Sequence, residues 1–425
     1  MNSGLSHPAG AELVPTAKPA SATTLPKLLY IGDVPVEATY HGSALLYRLL
    51  EKYAAAGLTI VETGQPSADH RRLPGAHYSW SPLANARWLN TRFHPYAVAF
   101  YSAAATRLDQ QVVASLKTVE FDSVLTVAHG FGWLTAAKVA ESRAVPLHLL
   151  IHDDWPRVAQ VPSAFRHWLD RRFGEVYQRA SSRMCVSPAM RDVYQRSYGR
   201  DAEVLYPLRD RRCSHLAGTQ ARRSRERFTL AFAGSVSTPA YVEALRTVSQ
   251  ALQPLGARLL IFGPLKSADA ANLGLDLSNI TICGLVEWSD LIERLKTEAD
   301  ALFVPMSFSE ADRFNMERAF PSKLADYTAV GAPLLIYGPP YCSAVRWARE
   351  IPGTAEVVTA KGVTALTEAV NRLASSATYC EELGRRALSA GREYFSYESV
   401  QSVFDRSLVG STYSLRAAAA GGSTT

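Results

Sequence analysis

Short apolar runs recur along the chain, separated by amphipathic stretches of helical period. In the first half they read LLYI (28–31), LTIVE (58–62), SVLTV (123–127), LHLLI (147–151), RMCVS (183–187) and EVLY (203–206). In the second half they read FTLAFAG (228–234), ARLLIFG (257–263), NITIC (279–283), ALFV (301–304), PLLIY (333–337) and AEVV (355–358). Runs apolar at consecutive rather than alternate positions are those of strands buried on both faces. Helical patterns such as GSALLYRLLEKYAAAG (42–57), AYVEALRTVSQALQPLG (240–256) and SDLIERLKTEAD (289–300) fall between them, and PYAVAFYSAAAT (95–106) reads as a core helix. Strand and helix in alternation predict an α/β fold with parallel sheets covered on both faces.

The alternation pauses once, at 208–227, where polar and arginine residues replace any apolar period. Two Rossmann-like, doubly wound domains are therefore expected, at 27–207 and 228–381, joined by a basic linker at 208–227. A helical stretch at 382–410 lies outside the second sheet's alternation. Residues 1–26 and 411–425, rich in Ala, Pro, Ser, Thr and Gly, are expected to be disordered tails.

The length of 425 residues suits two cores rather than one. A hydrophobic content of 47% with 20% charge is that of a soluble globular protein. No run reaches the ~18 apolar residues of a membrane span. The first residues have neither the basic start nor the apolar block of a secretory signal. The five cysteines, Cys185, Cys213, Cys283, Cys342 and Cys380, show no Cys-x-x-Cys spacing, so a reduced cytoplasmic protein with packing cysteines is expected. The net charge is +6, and much of the surplus lies in two arginine-rich tracts, 166–183 and 208–227. Such a surface favours anionic partners; no nucleic-acid-binding module accompanies it, and no nucleic-acid partner is expected.

Open parallel sheets bind ligands beyond the C-terminal ends of their strands, so two of them face to face would enclose one cleft. The sharpest feature there is FPSKLADYTAVGAPLLIYGP (320–339). Pro321 suits the first helical position and Gly331 the left-handed cap after the last turn. Lys323 falls in the first turn, where the helix dipole makes a cation unfavourable by roughly 0.3–1 kcal/mol. An ammonium added to the free N–H groups of a helix start makes sense if a phosphate docks there. Asp326, about one turn on, can accept hydrogen bonds from sugar hydroxyls. Gly234, Ser235 and Gly263 end the first two strands of the second domain, where glycine lets a ligand approach the backbone, although no G-x-G-x-x-G is present. In the first domain, Gly42 opens a helix after a long loop, while His129, His152 and Asp153 stand at neighbouring strand ends as candidates for polar contact or proton handling. Neither histidine has metal-ligand spacing, and no hydrolase nucleophile motif appears.

Taken together, FPSKLADYTAVGAPLLI, DALFVPMSF, RMCVSPAMRDVYQRSYG (183–199) and HLLIHDDWP make the chain resemble the group-1 glycosyltransferases of the GT-B fold over roughly 27–410. The resemblance implies a nucleotide-diphosphate sugar as donor, held by the second domain: Pro321, Ser322 and Lys323 on the diphosphate, Asp326 on the ribose or sugar, and Gly234, Ser235, Gly263 and the LVEW loop (285–288, with Glu287) around the nucleotide. It implies catalytic roles for His129 and Asp326, and an acceptor side formed by Gly42, His129, His152 and Asp153. It further implies retention of configuration, no metal or other cofactor, a glycan or lipid-linked acceptor in cell-envelope or exopolysaccharide assembly, and a last helix crossing back to the first domain. A cytoplasmic protein resting by its arginine-rich face on the inner membrane surface would fit. Three departures stand out. Arg318 occupies the place of the family's first acidic residue, GSVSTPAYVEAL (234–245) lacks the family's cations, and Asp replaces Glu at 326. They leave room for a second expectation, a GT-B domain without catalysis that binds nucleotide sugar or glycan as a scaffold.

Overall fold

The computed structural model describes residues 25–421 except 39–41, 83–92, 94–95, 97–109, 156, 160, 162 and 212–226. The expected tail up to residue 24, the helix at 95–106 (all but Tyr96) and most of the basic linker lie outside the described residues.

In the first domain, strands β1 (Leu28–Gly32), β2 (Leu58–Glu62), β3 (His77–Trp80), β4 (Ser123–Val127), β5 (Leu147–Ile151), β6 (Ser182–Cys185) and β7 (Glu203–Val204) form one sheet in the order β3-β2-β1-β4-β5-β6-β7. In the second, β8 (Thr229–Ala233), β9 (Arg258–Phe262), β10 (Ile280–Gly284), β11 (Ala301–Pro305), β12 (Leu334–Tyr337) and β13 (Glu356–Val358) are ordered β10-β9-β8-β11-β12-β13. Every pairing within these two sheets is parallel. Each apolar run of the sequence is found in a strand. The additional strand, β3, reads HYSW and is largely exposed. It is an edge strand, bonded on one side only, and edges carry no requirement for a continuous apolar run.

The helical stretch expected over 382–410 is two helices, Ala377–Tyr394 and Tyr397–Gly421. Phe395 breaks them, fully buried among Tyr206, Phe320 and Trp347 with ring centroids 5.6, 5.7 and 5.5 Å away. Ser396 restarts the chain as a cap, its Oγ accepting from the Ser399 N–H at 3.2 Å. The second helix lies on the first domain: Phe404 packs edge-on against Tyr53 at 5.8 Å, the Tyr53 hydroxyl donates to Asp405 at 2.8 Å, and Gln401 donates to the Leu49 carbonyl at 3.2 Å. It continues to Gly421, past the point at which the sequence suggests a disordered tail. Among the described residues no helix is long and apolar enough to cross a membrane.

The two domains are joined by more than the linker. The start of that linker is buried: Arg209 is 4% exposed and donates to the Ala325 carbonyl at 2.9 Å and the Thr328 hydroxyl at 2.7 Å. Gly391 on the facing helix leaves room for it, since a Cβ there would meet Arg209 and Thr328. Arg318 of the second domain is also buried and forms an ion pair with Asp154 of the first, a carboxylate with no exposure at all. Asp154 is further held by the Tyr194 hydroxyl at 3.2 Å and by Arg157 at 3.3 Å. An ion pair so deep contributes little net stability when intact but costs much when one partner is removed.

Two tests follow from this packing. Asp154→Ala strands a buried guanidinium, and unfolding free energy is expected to fall by about 3–5 kcal/mol, read as a lowered Tm or denaturant midpoint. A second concerns His148, fully buried in β5 with Nδ1 2.8 Å from the Ser182 hydroxyl. Burial pushes its pKa from 6.5 down to about 3. The unfolded chain therefore binds the proton that the folded one refuses, so this contribution is intact above pH 6.5 and is lost as pH falls towards 3. Stability measured between pH 6.5 and 5 is expected to fall more steeply in the parent than in His148→Asn; equal slopes count against the assignment.

Candidate functional site

The second domain's first two strands end in glycines whose backbones other residues cannot readily adopt: Gly234 at φ +147° and Gly263 at φ +150°. The strand ends are pressed together, since a Cβ on Gly263 would lie 2.3 Å from the Gly234 carbonyl oxygen. Tyr327 ties the helix Lys323–Val330 to this corner, its hydroxyl donating to the Ala233 carbonyl at 3.2 Å and accepting from the Ala233 N–H. The helix begins at Lys323, after a turn headed by Pro321, and ends at Gly331 in the left-handed conformation (φ +76°). Leu324 and Ala325 bond back to the carbonyls of Pro321 and Ser322 at 3.1 Å each. The N–H groups of Ser322 and Lys323 have no protein partner among the described residues.

The Lys323 side chain folds over Gly234. A Cβ there would stand 3.2 Å from Nζ, and the amine lies 4.7 Å from the ring centroids of both Phe232 and Tyr241 and 3.4 Å from the Tyr241 hydroxyl. Two aromatic faces hold the cation without neutralising it, and no ion pair to it is found among the described residues. It stands where two cavities meet. One, of about 230 Å³, has an apolar wall of Phe262, Pro264, Leu285, Val286 and Trp288, and is closed by Gly234, Gly263, Ser322, Lys323 and Asp326. Ala44, Leu45 and Arg48 close it from the first domain. The other, of about 300 Å³, is lined by Thr238, Tyr241, Ser307, Asp312, Asn315 and the segment Ala319–Lys323. An apolar slot, a cation with free N–H groups and a polar chamber in sequence suit a ligand with a flat apolar end, an anionic middle and a hydroxyl-rich end.

Asp326 faces the first cavity with Arg48 3.4 Å away. Burial pushes its carboxyl above the ordinary range, and the charges of Arg48 and Arg209 oppose that. The 285–288 loop lines the cavity through Leu285, Val286 and Trp288, while Glu287 is exposed at the head of the helix Trp288–Glu298. Ser235 lies beside Gly234 without lining either cavity.

Gly42, His129, His152 and Asp153 line neither cavity. The last three gather at the ends of β4 and β5: His129 is exposed with its ring 5.9 Å from that of Trp155, and His152 senses the charges of Asp153 and His129. Burial pushes the His152 pKa down to about 4, so it is neutral at pH 7. The glycines following His129 have a structural reason in Asp33, which no motif announces. Its carboxylate, at the end of β1, accepts from the Phe131 N–H at 2.5 Å, the Gly132 N–H at 2.7 Å and the Thr63 hydroxyl at 2.9 Å, and a Cβ on Gly130 would lie 2.0 Å from it. It thereby satisfies the start of the helix Gly132–Arg143.

Three further charged residues were not legible in the sequence. Arg48 sits in a plain amphipathic helix, Asp210 in what reads as a solvated linker, and Arg318 at a place where the resemblance calls for an acid. Arg318 faces Asp154 across the domain junction and lines neither cavity.

No protein-family model matches the chain, and no curated protein sequence matches it. Solved structures do. Anabaena HepE, solved with UDP and also with UDP-glucose, superposes with a TM-score of 0.65 at 13% identity, over 90% of this chain and 100% of its own. Sucrose-phosphate synthase from Thermosynechococcus elongatus gives 0.66 at 14% identity, over 92% and 100%. WaaG, a glycosyltransferase involved in lipopolysaccharide biosynthesis, gives 0.60 at 14%, over 90% and 100%. With its two all-parallel sheets facing across a cleft, the chain has the GT-B fold of these glycosyltransferases.

Proposed function

We propose that this protein is a glycosyltransferase that takes a hexose-type sugar from a nucleotide-diphosphate sugar and passes it to a glycan or lipid-linked acceptor in cell-envelope or exopolysaccharide assembly. The observation that carries the reading is the Lys323 ammonium at a helix start, turned into the cleft at the junction of the two cavities. In this reading the nucleobase lies against Leu285, Val286 and Pro264, the ribose meets Asp326, and the diphosphate takes the amine and the N–H groups of Ser322 and Lys323. The sugar occupies the chamber with Ser307, Asp312 and Asn315. Charge accumulating on the departing diphosphate is then met by donors already in place, which lowers the barrier without a metal. HepE, a structural neighbour, is solved with UDP and with UDP-glucose. Retention of configuration and an acceptor near His129, His152 and Asp153 come from the resemblance. The helix Ser163–Arg179 exposes Arg171 and Arg172, and we propose that this face rests on an anionic membrane surface from the cytoplasmic side.

One observation favours a second reading, a GT-B domain that binds nucleotide sugar or glycan without turnover. Arg318, in place of an acid, is committed to Asp154, and no cation follows β8 in GSVSTP.

A thermal-shift screen with GDP, UDP, ADP and dTDP is expected to find at least one that raises the Tm, because a ligand binding only the folded state stabilises it. Lys323→Ala is expected to weaken that nucleotide at least tenfold, about 1.4 kcal/mol, and to abolish transfer. Unchanged affinity in the variant overturns the reading. Release of free sugar or transfer from a labelled nucleotide sugar by the parent rejects the scaffold alternative.

A further inference from the structure

Arg48 belongs to the first domain, on the helix Gly42–Leu50, yet its guanidinium is a wall of the cavity in the second. The side chain is 15% exposed, donates to the Leu208 carbonyl at 3.0 Å and reaches Asp326 at 3.4 Å and Asp210 at 3.8 Å. It also lies 5.6 Å from the centroid of Trp288. Three segments thus converge on one cation, the crossing segment at 208–210 and the two helices that carry Asp326 and Trp288, and the carboxylate it approaches is the one placed to receive hydroxyl groups. We infer that Arg48 is a positioning residue for Asp326: it holds that carboxylate charged and aimed at the ribose hydroxyls of a nucleoside diphosphate, so the ribose contact is complete only when the first domain is closed on the second. This rests on the proposed reading of the cavity as a nucleotide site.

The charges around Asp326 fit that role. Lys323 lies one turn before it on its own helix, with the Tyr327 hydroxyl committed to Ala233. The crossing segment brings Arg209, whose guanidinium is engaged by Ala325 and Thr328, and Asp210, which works against a second negative charge. The helix Trp288–Glu298 brings Trp288, and the helix Ala377–Tyr394 approaches through Gly384 and Gly391. Burial favours the neutral acid here, and a neutral acid can accept only weakly from a vicinal diol. Arg48 is the group that crosses from the opposite domain to oppose this. Two carboxylates share it, so turning its charge from Asp210 towards Asp326 needs no new residue.

The test compares UDP, GDP and ADP with their 2′,3′-dideoxy counterparts by calorimetry, on the full chain and on Arg48→Ala, Arg48→Gln and Arg48→Lys. For a nucleotide that binds the parent, the ribose form is expected to bind at least about tenfold more tightly than the dideoxy form. That preference is expected to shrink to under about threefold in the Ala and Gln variants and to return in part in the Lys variant. The parent's preference is expected to hold to lower pH than the residual preference of the variants, since without Arg48 burial is less opposed and Asp326 takes up a proton sooner. A purely structural Arg48 weakens both forms equally and leaves their ratio and its pH dependence untouched, which overturns the inference, as does a parent without ribose preference. If the parent binds none of UDP, GDP, ADP and dTDP, the nucleotide reading itself fails and takes this inference with it; a parent that binds dTDP alone overturns the inference and leaves that reading standing. Should Arg48→Ala fail to fold, Arg48→Gln and Arg48→Lys decide between the same outcomes.

Discussion

A single ammonium is placed where electrostatics alone would not put it. The start of a helix is already electropositive, and Lys323 adds a full charge there, over the backbone of Gly234 and between two aromatic rings. Phe232 and Tyr241 lower the cost of keeping it in a cleft, but neither neutralises it. The position therefore stores an unmet attraction for an anion. Much of the surrounding structure can be read as support: two strand-end glycines that leave room, a tyrosine that ties the helix to β8, and two cavities of different character that meet at the amine.

A site built at the junction of two domains depends on how those domains are held. Here they are held by buried polar contacts as well as by aromatic packing. Arg318 reaches Asp154, Arg209 fastens the crossing segment to the helix Lys323–Val330, and Phe395 fills the seam between Tyr206, Phe320 and Trp347. Buried charges of this kind are exacting about geometry, because a displaced partner is left without water to replace it. They favour one relative placement of the domains, and that placement brings Arg48 to Asp326.

The scaffold side of the molecule was easier to read from the chain than the polar side. Strands buried on both faces write themselves as apolar runs, and every such run is a strand. The exposed edge strand HYSW leaves no such trace, and the break at Phe395 is invisible to helical periodicity because a single residue is drawn into a distant aromatic cluster. Among the site residues, Gly234, Gly263, Ser322, Lys323 and Asp326 share one cavity, as strand-end and helix-start logic suggests. Glu287 turns out to solvent while Leu285, Val286 and Trp288 beside it line the cavity, since a loop's direction is set by what it packs on and not by its composition.

By itself, the sequence determined the two parallel sheets, the helix that ends at Gly331, and the presence of a cation in its first turn, because these follow from apolar period, backbone preference and the left-handed cap. The helix starts at Lys323, two residues after the Pro321 that the sequence suggests for its first position. Only the tertiary structure decided the partners of the charges. Arg48 and Asp326, Asp154 and Arg318, and Asp33 with the Gly132 N–H are each separated by about a hundred residues or more. Coulombic and hydrogen-bond pairing depends on distance in space, and a chain carries no record of that distance until its sheets have closed on one another.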